Sequence, residues 1–451
     1  MPALKKVVFS APHKPALSEM IAIAKYLPEH IAPIFLLPFY DKELDEKMNA
    51  EGWRVCYFCP IPKNGGDRQI HKKAGFVKGL LDNGWFGCFA QAYLLKGVFK
   101  NKLLLRLNKI YDRIGSELCN EEEIIKVVIS NDRSAGLEAA LNKWAMEQGI
   151  GVIIPPIAYA SDFSAAIKLR KARIYGFVRS DIPKVTMEFS HGAVIKSFYR
   201  PFETEALKEF GVLSSNPWVL GSGHCDFMLV ESEREKRRLI ALGGDKEKMV
   251  VTGHLSHDSI WNALSNKDAI KKSIIAKYKL SEDKPFVLLA APQYWEHGLC
   301  DKKSHFDIIE QLCQSLGAEN NLIISLHPKM DRADYSYLED KYRVKIVHES
   351  LRDVIVISDL FVATYSSTIA WALLCNKKVM IVDFIGLSYS SFYEEFEIDR
   401  ICNTEQLKVA MQFFDKEDIN RSNKDKEDLC GLLSPFDGAC ASRIIDNIVA
   451  E

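Results

Sequence analysis

Between Asn321 and Asp383 two apolar runs stop abruptly in small polar and basic residues, and this constrains the fold more than any other part of the chain. The first is Leu322-Ile323-Ile324-Ser325-Leu326, closed by His327-Pro328-Lys329. The second is Leu360-Phe361-Val362-Ala363, closed by Thr364-Tyr365-Ser366-Ser367-Thr368 ahead of a helical pattern. Each run has the length of a strand covered on both faces, as in a parallel sheet flanked by helices. Ligands of such open sheets bind outside the carboxyl ends of the strands. Adjacent turns of this kind predict one shared pocket with chemistry suited to a phosphate.

The reason lies in the helix predicted after Ser366. Its first N–H groups have no intrahelical partner, and the peptide dipoles place roughly half a positive charge there. Ser366, Ser367 and Thr368 can cap those groups, or present them with their own hydroxyls to an anionic oxygen. Lys329 adds a mobile ammonium, and His327 a donor that titrates near neutrality. A serine cap alone is common, but a cap needs no second polar turn beside it. Gln293 and Glu296, in the loop after the apolar run Phe286 to Ala290, could also face this pocket.

The same alternation of strand and helix runs through the chain. Val7-Val8-Phe9, Ile34 to Leu37, Val55 to Phe58, Ile124 to Ser130, Val152 to Ile154, Lys184 to Phe189, Phe227 to Val230 and Met249 to Thr252 read as strands of the first half. Phe286 to Ala290, Leu322 to Leu326, Val344 to Val347, Leu360 to Ala363 and Val379 to Val382 read as those of the second. The expected fold class is α/β, with two doubly wound Rossmann-like domains facing a cleft. The expected domains are residues 1–255, residues 256–430 and a C-terminal helix in 431–451.

The segment from about 67 to 118 interrupts this pattern and reads as a helical insertion in the first domain. It interleaves Phe76, Trp85, Phe86, Phe89, Tyr93 and Phe99 with lysines and arginines, and only Asp82 and Asp112 oppose that charge between Lys72 and Arg113. A basic, aromatic segment of this kind could lie on an anionic membrane surface, through about 72–113. A helical insertion packed on the first domain, with a solvated basic face, accounts for it equally well.

Composition narrows the classes. With 451 residues, 47% hydrophobic and 26% charged, the chain is ordinary globular material, and a net charge of −1 argues against bulk nucleic-acid binding. No run approaches transmembrane length, and the start reads as a first strand and not as a secretion signal. Eleven cysteines without a framework spacing suit reduced thiols in a cytoplasm. Cys56 and Cys59 form a C-x-x-C pair in a strand-like context with no second pair, which favours burial over metal binding. His254 and His257 lack flanking metal-ligand residues.

These residues resemble the glycosyltransferase B superfamily, which includes UDP-N-acetylglucosamine 2-epimerases, CDP-glycerol glycerophosphotransferases and transferases of CMP-activated sialic acid and Kdo. The resemblance covers mainly residues 184 to 450. Phe227 to Ser232 with its basic helix, Val251-Thr252-Gly253-His254 with Asp258, His327-Pro328-Lys329 and Tyr365 to Thr368 match in order along the chain. Asp437-Gly438 with Ala441 to Ile444 resembles the superfamily's final helix, and Ser190-His191-Gly192 the histidine-glycine turn of the glycerophosphotransferases. Two departures stand out: Ser10-Ala11-Pro12-His13-Lys14 replaces the epimerases' opening turn, and Trp371 and Ala372 stand where many nucleotide-sugar transferases place a ribose-holding glutamate. The resemblance implies a GT-B fold and transfer from a nucleotide-activated donor, CMP- or CDP-linked in preference to UDP, to a glycan or lipid-linked acceptor in bacterial surface polysaccharide synthesis. A hydrolysing nucleotide-sugar 2-epimerase and a non-catalytic nucleotide- or glycan-binding protein are the alternatives.

Such transfer needs a base for the acceptor hydroxyl and stabilisation of the departing phosphate. The sequence has no D-x-D, H-E-x-x-H or P-loop pattern, so neither a metal site nor a cofactor is expected. Gln293, His327, Lys329, Ser366, Ser367 and Thr368 are the expected donor- and phosphate-binding residues. His191 is the leading candidate base, ending a strand in a turn, and Asp132 in Ser130-Asn131-Asp132-Arg133-Ser134 is its rival. His13, ending the first strand, could touch the acceptor. The expected location is cytoplasmic, peripheral at the inner face of the membrane.

Overall fold

Short apolar runs become parallel strands when alternate residues can be buried on opposite faces, and both sheets here are built that way. A computed structural model describes residues 4–59, 82–119, 121, 123–157, 170, 172–177, 184–189, 194–327, 329–388, 396, 398–414 and 431–450. The chain divides into two compact units, residues 1–255 with 440–451, and residues 256–439.

In the first unit the strands are β1 (Lys5–Ser10), β2 (Ile31–Leu37), β3 (Arg54–Tyr57), β4 (Ile124–Ile129) and β5 (Gly151–Ile154). A two-stranded ribbon of β6 (Thr186–Phe189) and β7 (Val194–Ser197) follows, and then β8 (Phe227–Val230) and β9 (Met249–Val251). The main sheet has order β3-β2-β1-β4-β5-β8-β9, and every pairing in it is parallel. One face buries Val8, Leu36, Val127, Ile129 and Ile154, and the other Val7, Phe9, Phe35, Val128 and Ile153. The last helix, Cys440–Val449, joins the second cluster through Ala441, Ile444, Ile445 and Ile448. Arg443 fixes it further by donating from Nε to the Thr252 carbonyl at 3.0 Å.

One expected strand sits elsewhere. The run Lys184 to Phe189 was expected among the parallel set, but β6 pairs antiparallel with β7, in register Phe189↔Val194. Four residues separate the two strands, too few for the crossover that parallel neighbours require. The helical segment consists, among the described residues, of Trp85–Phe89, a π-helical turn Ala90–Leu94 and the long helix Lys96–Leu118. Leu107, Ile114 and Leu118 bury one stripe of the long helix in the unit's core.

The second unit has β10 (Phe286–Ala290), β11 (Asn321–Ser325), β12 (Lys345–Ile346), β13 (Leu360–Ala363), β14 (Lys378–Val382) and β15 (Asp399–Ile401). Their order is β12-β11-β10-β13-β14-β15, again all parallel. Phe286, Leu288, Ile323, Phe361 and Ile381 fill one face, and Val287, Leu289, Ile324, Val362 and Met380 the other. β15 went unread because Asp399-Arg400-Ile401 carries too little apolar character to signal an edge strand.

Candidate functional site

Topology places the site of the second unit. The chain runs outward from β10 to β11 and β12, then returns to the other side of β10 to lay down β13 and β14. That reversal, between β10 and β13, is where open α/β sheets leave a crevice for ligand. Because all the strands are parallel, the turns after β11, β10, β13 and β14 emerge along one edge.

The two turns expected to be neighbours are not. β10 lies between β11 and β13, so they stand about 10 Å apart at ordinary strand spacing, with the Gln293 loop in between. In the turn after β13, Ser366 Oγ lies 2.8 Å from Thr368 Oγ1 and accepts from the Thr368 N–H at 3.3 Å. Thr368 is the N-cap of a six-residue helix, Ile369–Leu374, and makes no side-chain capping bond. Ser366 thus closes its own turn, while Ser367 is exposed.

After β11, His327 and Lys329 are both exposed, and Pro328 lies outside the described residues. His327 Nδ1 accepts from the Lys329 N–H at 3.1 Å, which leaves Nε2 to carry the proton. The neutral imidazole therefore keeps a donor. Partial desolvation, with the Lys329 ammonium and His297 close by, lowers the His327 pKa below its ordinary value.

The loop after β10 is held from beneath. Tyr294 is buried and its hydroxyl donates to the Val382 carbonyl at 3.2 Å, while Gln293 Oε1 lies 3.2 Å from His297 Nε2. Glu296 accepts from the Tyr335 hydroxyl at 2.9 Å, and the fully buried His305 reaches the same hydroxyl through Nε2 at 2.8 Å. After β14, Asp383 accepts from the N–H groups of Leu387 and Ser388, each at 2.8 Å, and from the Tyr365 hydroxyl at 3.0 Å. No local sequence pattern marks these supports. Asp383 ends an apolar run as many caps do, and His305 is one residue on a helix with no local signal.

The first unit has its own reversal, between β1 and β4. His13 stands after β1, where its Nδ1 accepts from the Ala16 N–H at 3.3 Å and caps the helix Lys14–Ala24. Asp132 stands after β4, buried, with Oδ1 accepting from the Gly221 N–H at 3.2 Å and Oδ2 from the Gly223 N–H at 2.6 Å. Burial pushes its pKa up, against the pull of Arg133 and those amides. Beside it Glu138 accepts at Oε1 from both the N–H and the hydroxyl of Ser130, at 2.8 and 2.7 Å, and Oε2 has no hydrogen-bond partner among the described residues. Burial raises the Glu138 pKa to about 8.

The glycine loop that Asp132 holds also carries His224, unmarked by any sequence pattern. Desolvation and the Lys248 ammonium lower its pKa. His191 lies outside the described residues, in the connection between β6 and β7. Cys56 is buried in β3 and Cys59 follows it, both as free thiols. His257 bonds Ser434 Oγ through Nδ1 at 2.7 Å. Among the described residues no three His, Cys, Asp or Glu side chains group as metal ligands, and no helix is long and apolar enough to cross a membrane.

Residues 202–383 match the family model of CDP-Glycerol:Poly(glycerophosphate) glycerophosphotransferase, a span that includes every candidate phosphate turn. No curated protein sequence matches the chain. Among solved structures, a UDP-GlcNAc 2-epimerase from Neisseria meningitidis bound to UDP-GlcNAc is 12% identical, with a TM-score of 0.51 over 99% of this chain and 100% of that one. The S. aureus MnaA-UDP structure is 13% identical, with a TM-score of 0.48 over 99% and 98%. The wall teichoic acid polymerase TagF with CDPG is 12% identical, with a TM-score of 0.48 over 98% and 88%. At these identities the likeness is one of fold. Two parallel sheets of this topology give the chain the fold of that 2-epimerase, and the segment 202–383, which runs through the second sheet, is similar to the glycerophosphotransferases.

Proposed function

We propose that this chain transfers a sugar or alditol phosphate from a CMP- or CDP-linked donor to a glycan or lipid-linked acceptor of a bacterial surface polysaccharide, without a catalytic metal. The observation that carries this reading is the row of polar turns at the β10/β13 reversal, inside the segment that matches the glycerophosphotransferase model. Lys329, the Nε2–H of His327 and the hydroxyls of Ser366, Ser367 and Thr368 supply positive charge and donors for a departing phosphate. Gln293, between the two turns, makes a further contact with the donor in this reading. The acceptor oxygen attacks the electrophilic carbon or phosphorus, the bond to the nucleotide breaks, and the nucleotide leaves with the electron pair. The acceptor's proton passes to a base, for which His191 is the leading candidate and Asp132 the rival. The work is cytoplasmic, at the inner face of a membrane.

Thermal unfolding with CMP, CDP, UDP and GDP tests the donor. A nucleotide at a hundred times its Kd stabilises by about 2.7 kcal/mol, and a cytidine nucleotide should give the largest shift. A larger shift with UDP would transfer the preference to uridine donors. Turnover should persist in excess chelator, and a complete loss rescued by metal would overturn metal independence. The fold likeness to a 2-epimerase over nearly the whole chain keeps a second reading in view. An epimerised sugar formed from donor alone would establish it, whereas nucleotide release that requires an acceptor supports transfer.

A further inference from the structure

We propose that the long helix Lys96–Leu118 and the aromatic segment before it form a docking surface for an anionic lipid bilayer. This deepens the membrane placement above but holds whether or not the transferase reading does. The helix is two-sided. Leu107, Ile114 and Leu118 are buried in the first unit's core. At 100° per residue, Val98, Lys102, Leu105, Arg106, Lys109 and Arg113 fall in one stripe on nearly the opposite side. A merely solvated face carries charge without large apolar groups, but here Val98 and Leu105 are each more than half exposed among the cations. Trp85, Phe86, Tyr93 and Leu94, just before the helix, are also more than half exposed.

The charges divide as the surface requires. Lys96 and Lys100 are engaged with Glu205 and Glu209 on the helix Pro201–Phe210, which anchors the long helix to its unit. Lys102, Arg106 and Lys109 have no ion-pair partner among the described residues and line a groove of about 370 Å³ against Phe58. Arg113 closes the end of that groove, its guanidinium 4.5 Å from the Phe58 ring centre and donating to the Tyr57 carbonyl at 2.7 Å. Protein–protein interface cores are depleted in lysine, whereas membrane-surface helices combine Lys and Arg with Trp, Phe and Leu. Charge complementarity therefore selects an anionic bilayer over a second protein: rings at headgroup depth, and the cationic groove on lipid phosphates.

Sedimentation of the full-length protein with vesicles, without nucleotide, tests this. Binding is expected to vesicles of phosphatidylcholine mixed with phosphatidylglycerol, to weaken as salt rises, and to be far weaker with phosphatidylcholine alone. Each cation near such a surface contributes about 1 kcal/mol, so each removal should weaken binding about fivefold. Lys102→Glu, Arg106→Glu and Lys109→Glu together should weaken it at least a hundredfold, at unchanged unfolding temperature. Trp85→Ser with Phe86→Ser should lose the residual binding at high salt, and supplies the same readout should the charge variant fail to fold. Undiminished binding by both variants would overturn the proposal. So would absence of binding, indifference to phosphatidylglycerol, or a reversal that changes only self-association. Cytidine-nucleotide stabilisation is measured separately, so either reading can fail alone.

Discussion

Asp132 shows how a polar residue at a strand end can be structural and functional at once. Both carboxylate oxygens accept backbone N–H groups of the glycine loop, so truncation leaves one buried and one half-buried donor unpaired. Asp132→Ala should cost about 2–4 kcal/mol in chemical denaturation, before any effect on turnover. Gly223 packs against it so closely that an added Cβ would lie 2.7 Å from Asp132 Oδ2 and 2.9 Å from its carbonyl oxygen. Gly223→Ala should therefore cost about 1–3 kcal/mol by overpacking alone, and full stability in that variant would show that the loop is not clamped. Glu138 gives a pH signature. Its folded pKa of about 8 exceeds the usual carboxyl value, so the folded state holds a proton that the unfolded state has released. Stability should fall as pH rises from about 4.5 to 8 and level off above. Glu138→Gln should flatten that fall and be the more stable protein at pH 8, and an unchanged profile would count against the burial assignment. None of this was legible in the sequence, where Asp132 reads as a cap or a base and Glu138 as one acidic residue on the helix Leu137–Gln148.

Among elements, those buried on both faces were the readable ones. β10, β11, β13 and β14 are unbroken apolar runs because helices cover both sides of the sheet, and the polar residues that stop them mark its functional edge. Which turns sit beside one another was not readable. The position of β10 between β11 and β13 is set by the crossover path, and periodicity carries no information about that path. Lys184 to Phe189 joins the parallel set in the sequence reading for a similar reason, since a short strand looks alike in either pairing direction. The turn after β13 bears a direct prediction. Ser366→Ala and Thr368→Val should each weaken binding of the preferred nucleotide about tenfold, the value of a hydrogen bond to a charged oxygen, beyond the about 1 kcal/mol of stability lost with the bond between the two hydroxyls. A loss of stability with no change in affinity would mean that these hydroxyls serve only their own turn.

At the scale of the whole molecule, each unit reverses its strand order once; of the residues that drew notice in the sequence, His13 and Asp132 follow the strands of the first reversal, and Gln293, Ser366 and Thr368 those of the second, while His327 and Lys329 follow β11. The alternation of strands and helices made the two-sheet plan visible from composition and period alone. The docking of the final helix was not, because an amphipathic decamer fits any apolar groove of the right length. That helix has a consequence for truncation. Residues 256–439 form a contiguous unit with its own core, whereas the unit of residues 1–255 needs Ala441, Ile444, Ile445 and Ile448 to seal one side of its sheet. A chain cut before residue 440 would therefore keep residues 256–439 whole while baring one apolar face of the other unit's sheet.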